Sequence, residues 1–143
     1  MLQHLPKILL IDDNKHGLVA RRSLLEEQGY EVETAADGIE GLSKYDEKMF
    51  DVVVTDYRMP KMNGHKVLEA IRARNPNTPV IILSGYAKNL DLTCNNTGAS
   101  AVLGKGPSEG PDLVRTIASL LGKKRVCREQ TSAKKIRGDL RQA

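Results

Sequence analysis

Three continuous apolar runs, Ile8-Leu9-Leu10-Ile11, Val52-Val53-Val54 and Val80-Ile81-Ile82-Leu83, recur along the chain with helical patterns between them. Runs this short and this rich in branched residues suit parallel strands buried on both faces. Glu31-Val32-Glu33-Thr34-Ala35 alternates as an edge strand does, and Ala101-Val102-Leu103 is a short fifth candidate. Residues 15–28 set Leu18, Leu24 and Leu25 toward one side and close at Gly29, which suits the position after a helix end. Residues 39–48 carry Ile39, Leu42 and Tyr45 at helical spacing, and residues 64–74 carry Val67, Leu68 and Ile71, stopping before Asn75-Pro76. Residues 88–97 form a weaker helical segment, because Thr93, Asn95, Asn96 and Thr97 are poor helix formers. Pro111 suits the first turn of a last helix with Leu113, Val114, Ile117, Leu120 and Leu121, ended by Gly122. Five strands alternating with five helices predict an α/β fold: a parallel sheet with helices on both faces.

The chain of 143 residues suits one domain, with 40% hydrophobic and 28% charged residues, a globular balance. No apolar run is long enough for a membrane span, and the start Met1-Leu2-Gln3-His4-Leu5-Pro6 lacks a signal-peptide pattern, so the expected location is cytoplasmic. Cys94 and Cys127 are too few for a disulfide framework or a closed zinc site and read as ordinary thiols. The net charge of +4 is unevenly placed. Residues 123–143 carry eight Lys/Arg against Glu129 and Asp139, a net of +6, whereas residues 1–122, with 14 basic and 16 acidic side chains, stand at −2. The expected organisation is a domain over 1–122 and a flexible basic tail over 123–143. No part of the body reads as a nucleic-acid footprint; the alternative for the tail is contact with nucleic acid or a membrane surface.

In open parallel sheets, ligands sit beyond the carboxyl ends of the strands. The first strand ends in Asp12-Asp13, the third in Asp56 and the fourth in Ser84, and the fifth is followed by Lys105. Three carboxylates on one rim repel one another and resist ionisation. A hard divalent cation such as Mg²⁺ relieves that repulsion, and Lys105 and Ser84 are suited to hold phosphoryl oxygens. Asp56, alone at the end of the central strand, is the natural nucleophile for an aspartyl phosphate. His4, His16 and His65 have no partner at metal-ligand spacing, and Tyr30, Tyr45 and Phe50 read as packing residues.

These motifs resemble a response-regulator receiver domain. The likeness is carried by Ile8 to Asn14, by Val52-Val53-Val54-Thr55-Asp56-Tyr57-Arg58-Met59-Pro60-Lys61-Met62-Asn63-Gly64, by Pro79 to Tyr86 and by Gly98 to Lys105, in that order over residues 5–122. The resemblance implies a doubly wound five-stranded parallel sheet in the flavodoxin-like order 2-1-3-4-5. It implies Asp56 as the phosphoacceptor, served by a histidine kinase or histidine phosphotransfer protein. Asp13, Asp56 and the backbone carbonyl of Arg58 would bind Mg²⁺, Asp12 would reach it mainly through water, and Ser84 and Lys105 would contact the phosphoryl group. It further implies a signalling module that catalyses only its own phosphorylation and dephosphorylation. Its output would be contact with a downstream protein that the sequence does not name, and a homodimer is left open.

The chain departs from the family pattern at its output face. Val102 stands where an aromatic is usual, Gly106 separates Lys105 from Pro107, and the helix before the fifth strand is polar. The expected conformational readout is therefore placed in the loop after Ser84, at Tyr86. Two enzyme or binder readings fit less well. A haloacid-dehalogenase-type phosphatase needs an acid two residues after its nucleophile, where this chain has Arg58. A nucleotide or flavin binder needs a Gly/Ser/Thr-rich phosphate loop, and Asp12-Asp13-Asn14-Lys15-His16-Gly17 is acidic.

Overall fold

A computed structural model describes residues 5–85, 98–122 and, for the backbone alone, 128–129. In chain order the elements are β1 (Lys7–Ile11), α1 (Lys15–Glu27), β2 (Glu31–Ala35), α2 (Gly38–Glu47), β3 (Val52–Asp56), α3 (Gly64–Arg74), β4 (Val80–Ser84), β5 (Ala101–Gly104), α4 (Glu109–Gly122) and β6 (Arg128–Glu129). The sheet order is β2-β1-β3-β4-β5-β6, and every pairing is parallel. The order 2-1-3-4-5 is the one expected. The sixth strand, in the basic tail, pairs Ala101 with Arg128 and Val102 with Glu129, so at these two residues the tail extends the sheet. The expected helix over 88–97 and the expected switch residue Tyr86 lie outside the described residues.

Alternate residues of each strand feed two cores, as the period of two requires. Ile8, Leu10, Val52, Val54, Ile81, Leu83 and Leu103 pack on Leu18 and Leu25 of α1 and on Leu113, Ile117 and Leu120 of α4. Leu9, Ile11, Val53, Val80, Ile82 and Val102 pack on Leu42 of α2 and on Val67, Leu68 and Ile71 of α3. Both faces are thus covered, which explains why β3 and β4 are apolar without alternation. Tyr45 stacks on Phe50 with ring centroids 6.4 Å apart, and Tyr30 packs against the first core.

Local chemistry sets the helix ends. Asn14 caps α1 by accepting from the His16 and Gly17 amides, Asp37 caps α2 by accepting from Glu40, and Asn63 caps α3 by accepting from Lys66. Gly29, at φ 93°, takes the left-handed turn after α1 that a side chain disfavours. One expectation is corrected. Ile39 is 56% exposed rather than core-facing: it follows the Asp37 cap in the first turn, and Leu42 makes the inward contact instead. α4 begins at Glu109, so Pro111 stands within its first turn as expected, where a proline loses no hydrogen bond.

Candidate functional site

Register alone brings the acids together. Ile11 pairs with Thr55, so Asp12 and Asp56 are the next residues on neighbouring strands, about 4.8 Å apart by strand spacing. Asp56 pairs with Leu83 and Ser84 with Gly104, so Ser84 and Lys105 each stand one step further along the same rim. One carboxylate oxygen from each of Asp12, Asp13 and Asp56 lies within 4.8 Å of the others. Asp12 and Asp56 are buried at 3% and 6% exposure, and Asp13 faces solvent. Lys105 places Nζ 2.6 Å from Asp56 Oδ1 and 4.0 Å from Asp12 Oδ2. A cavity of about 360 Å³, lined by Asp56, Arg58, Ser84, Gly85 and Lys105, opens beside this pair. Five of the six expected site residues therefore cluster directly at the rim, and Arg58, exposed, lines the same cavity.

The electrostatics are those of a crowded acidic site. Burial holds the Asp56 carboxyl above its ordinary range. The hydrogen bond from Lys105 opposes that rise, and the charge of Asp12 adds to it. The donor set is hard oxygen on all three residues, the chemistry that Mg²⁺ prefers. The loop after β3 is shaped by backbone contacts. The Tyr57 amide donates to Leu83 O at 2.8 Å and the Gly64 amide to Tyr57 O at 2.8 Å. A Cβ on Gly64 would lie 2.5 Å from Asp56 O, so only glycine lets α3 start this close to β3.

Two residues at the site were not anticipated. Arg21 of α1 donates from Nη1 to Asp12 Oδ2 at 2.6 Å and from Nε to Glu109 Oε2 at 2.5 Å. Burial disfavours the charged guanidinium, but hydrogen bonds and charge from Glu109 and Asp12 outweigh it and hold Arg21 above the ordinary arginine value. A readable signal did exist: Leu18, Arg21 and Leu25 share the i, i+3, i+7 face of α1, so an arginine interrupts an otherwise apolar stripe.

The fold and the site define a class of protein: a doubly wound α/β sheet with an acid-and-lysine rim at the carboxyl ends of its strands. Residues 8–118 match the family described as the response regulator receiver domain, and the chain belongs to that family. It is 35% identical over 116 residues to a CpxR homolog, a transcriptional regulatory protein of Haemophilus influenzae, covering 80% of this chain and 50% of the relative. It is 34% identical over 117 residues to the transcriptional regulatory protein PrrA of Mycobacterium tuberculosis, covering 81% of this chain and 50% of that protein. The chain thus spans half the length of these relatives. A receiver domain from Clostridium thermocellum superposes with a TM-score of 0.75 at 38% identity, over 82% of this chain and 95% of that one. The response regulator TrrA from Thermotoga maritima, solved in complex with Mg²⁺ and BeF, superposes with a TM-score of 0.73 at 26% identity, over 82% of this chain and 100% of that one. The protein is a receiver domain of the two-component response regulator type, a signalling domain rather than a classical enzyme. Among the described residues, no helix is long and apolar enough to cross a membrane.

Proposed function

We propose that this receiver accepts a phosphoryl group on Asp56 from a phosphohistidine, and that Mg²⁺ held by Asp13, Asp56 and the Arg58 carbonyl, with Asp12 beside it, supports the transfer. The observation that carries the reading is the Asp56 carboxylate, buried at the mouth of a cavity with Lys105 Nζ 2.6 Å from its Oδ1 and two further acids within 4.8 Å. When bound, Mg²⁺ supplies positive charge against which the phosphoryl oxygens and the carboxylate can approach one another. In the transfer, an Asp56 oxygen forms a bond to phosphorus as the phosphorus–nitrogen bond of the donor breaks, and that electron pair returns to the imidazole. Lys105 holds a phosphoryl oxygen by a charge-assisted hydrogen bond, and Ser84 donates its hydroxyl to another. Output follows as contact with a downstream protein, and the domain boundary falls near residue 122. The transcriptional relatives keep a nucleic-acid role open for a larger assembly.

The test is phosphorylation by acetyl phosphate or phosphoramidate with Mg²⁺, trapped by borohydride reduction and located by peptide mass spectrometry. Label is expected at Asp56 and lost in Asp56→Asn. Asp13→Asn should reduce both Mg²⁺ affinity and labelling at least tenfold, since it removes a full ligand charge. Unchanged labelling of Asp56→Asn would overturn the assignment.

A further inference from the structure

Both oxygens of Asp12 are already engaged. Oδ1 accepts from the Asn14 amide at 2.9 Å, and Oδ2 accepts from Arg21 at 2.6 Å with Lys105 Nζ 4.0 Å away. Arg21 is 11% exposed, and its second donor is fixed on Glu109, the first residue of α4, 88 positions away in the chain. Gly17 makes this reach feasible: a Cβ there would stand 2.9 Å from Arg21 Nη1 and 3.3 Å from Asp12 Oδ2. Glycine is a poorer helix former than alanine, and here it leaves the space that the guanidinium occupies. The segment from Lys105 to Glu109 is consequently tied to the acidic rim at both ends, by Lys105 to Asp56 and by Glu109 through Arg21 to Asp12.

We propose that Arg21 is a positioning residue that competes with the divalent cation for Asp12 and transmits cation occupancy to the start of α4 through Glu109. The inference rests on the cation reading given above. A cation at the rim draws the negative charge of Asp12 toward itself and weakens its hold on Arg21. The guanidinium then leans on Glu109, so the change is felt where α4 begins. This route needs no aromatic side chain on β5, where Val102 is buried among apolar neighbours. It is also reciprocal: whatever loosens Glu109 from Arg21 alters the cation affinity by the same factor.

The test is Mg²⁺ titration of the full chain by calorimetry and by backbone amide NMR. Arg21→Gln should bind Mg²⁺ about three- to tenfold more tightly, because a charge-assisted hydrogen bond of the size given up here no longer opposes it. Gly17→Ala is the second variant. It favours the helix, so it folds, and it displaces the guanidinium without removing its charge from the protein; it should tighten Mg²⁺ binding in the same direction but less. In the wild type, the amides of residues 108–112 should shift with Mg²⁺, and in both variants that response should shrink. Wild-type Mg²⁺ affinity in both variants, with the α4 response intact, would show that Arg21 is only a structural brace. Absence of Mg²⁺ binding in the wild type would overturn the cation reading together with this one, whereas binding that Asp13→Asn weakens and Arg21→Gln leaves alone overturns this one only.

Discussion

Asp56 is a buried carboxyl whose ionisation is opposed by the fold around it. Burial raises its carboxyl above the ordinary range, so the folded state binds that proton more tightly than the unfolded chain does. Stability associated with Asp56 is therefore full below the ordinary carboxylate range and is lost as the pH rises through the raised value. At neutral pH without divalent cations, Asp56→Asn should raise the thermal midpoint by several degrees, and the gain should vanish in acid. A differential scanning series over pH checks this; an equal gain at every pH would show that packing, not charge, is responsible. Asp56, Asp12, Asp13, Ser84 and Lys105 were all legible at this scale, because each follows an apolar run and strand ends are local features of sequence. Arg21 was less so: its partners Asp12 and Glu109 lie 9 and 88 positions away, and no local period links them.

At the scale of elements, α3 is placed by what it lacks. Gly64 stands against backbone atoms, Asp56 O at 2.5 Å and Tyr57 Cα at 3.0 Å from a Cβ built there, and backbone cannot swing aside as a side chain can. Gly64→Ala should cost about 1–3 kcal/mol in denaturant melts, as overpacking typically does, and should slow labelling at Asp56. A neutral substitution would show that the β3–α3 loop shifts freely. The helices themselves were readable from spacing: Val67, Leu68 and Ile71 are buried as their period requires. Ile39 was misread because a residue in the first turn after a cap is placed by the cap as well as by the period. The start of α4 was readable from Pro111, which stands in its first turn.

Across the whole molecule, the basic tail and the sheet are the parts to separate. Among the described residues, the tail adds two residue pairs to β5, and the apolar pattern of α4 stops at Leu121. Removing residues 123–143 should therefore leave the fold and labelling at Asp56 intact and lower the thermal midpoint by less than about 5 °C. A larger fall would show that the tail is part of the core. The same truncation removes a net charge of +6, so retention on a cation exchanger should fall steeply.

The sequence by itself determined the strands, most of the helices and the set of residues on the acidic rim, since hydrophobic period and strand-end chemistry act over a few neighbouring residues. It also determined that the sheet is parallel, because continuous apolar strands must be buried on both faces, while the order 2-1-3-4-5 was implied by the resemblance of its motifs to receiver domains. Only the tertiary structure decided which side chains meet across that rim: that Lys105 sits on Asp56, that Arg21 divides itself between Asp12 and Glu109, and that a stretch of the tail pairs with β5. Such contacts depend on distances between elements that are remote in the chain, and those distances are set only when the two cores close on the sheet.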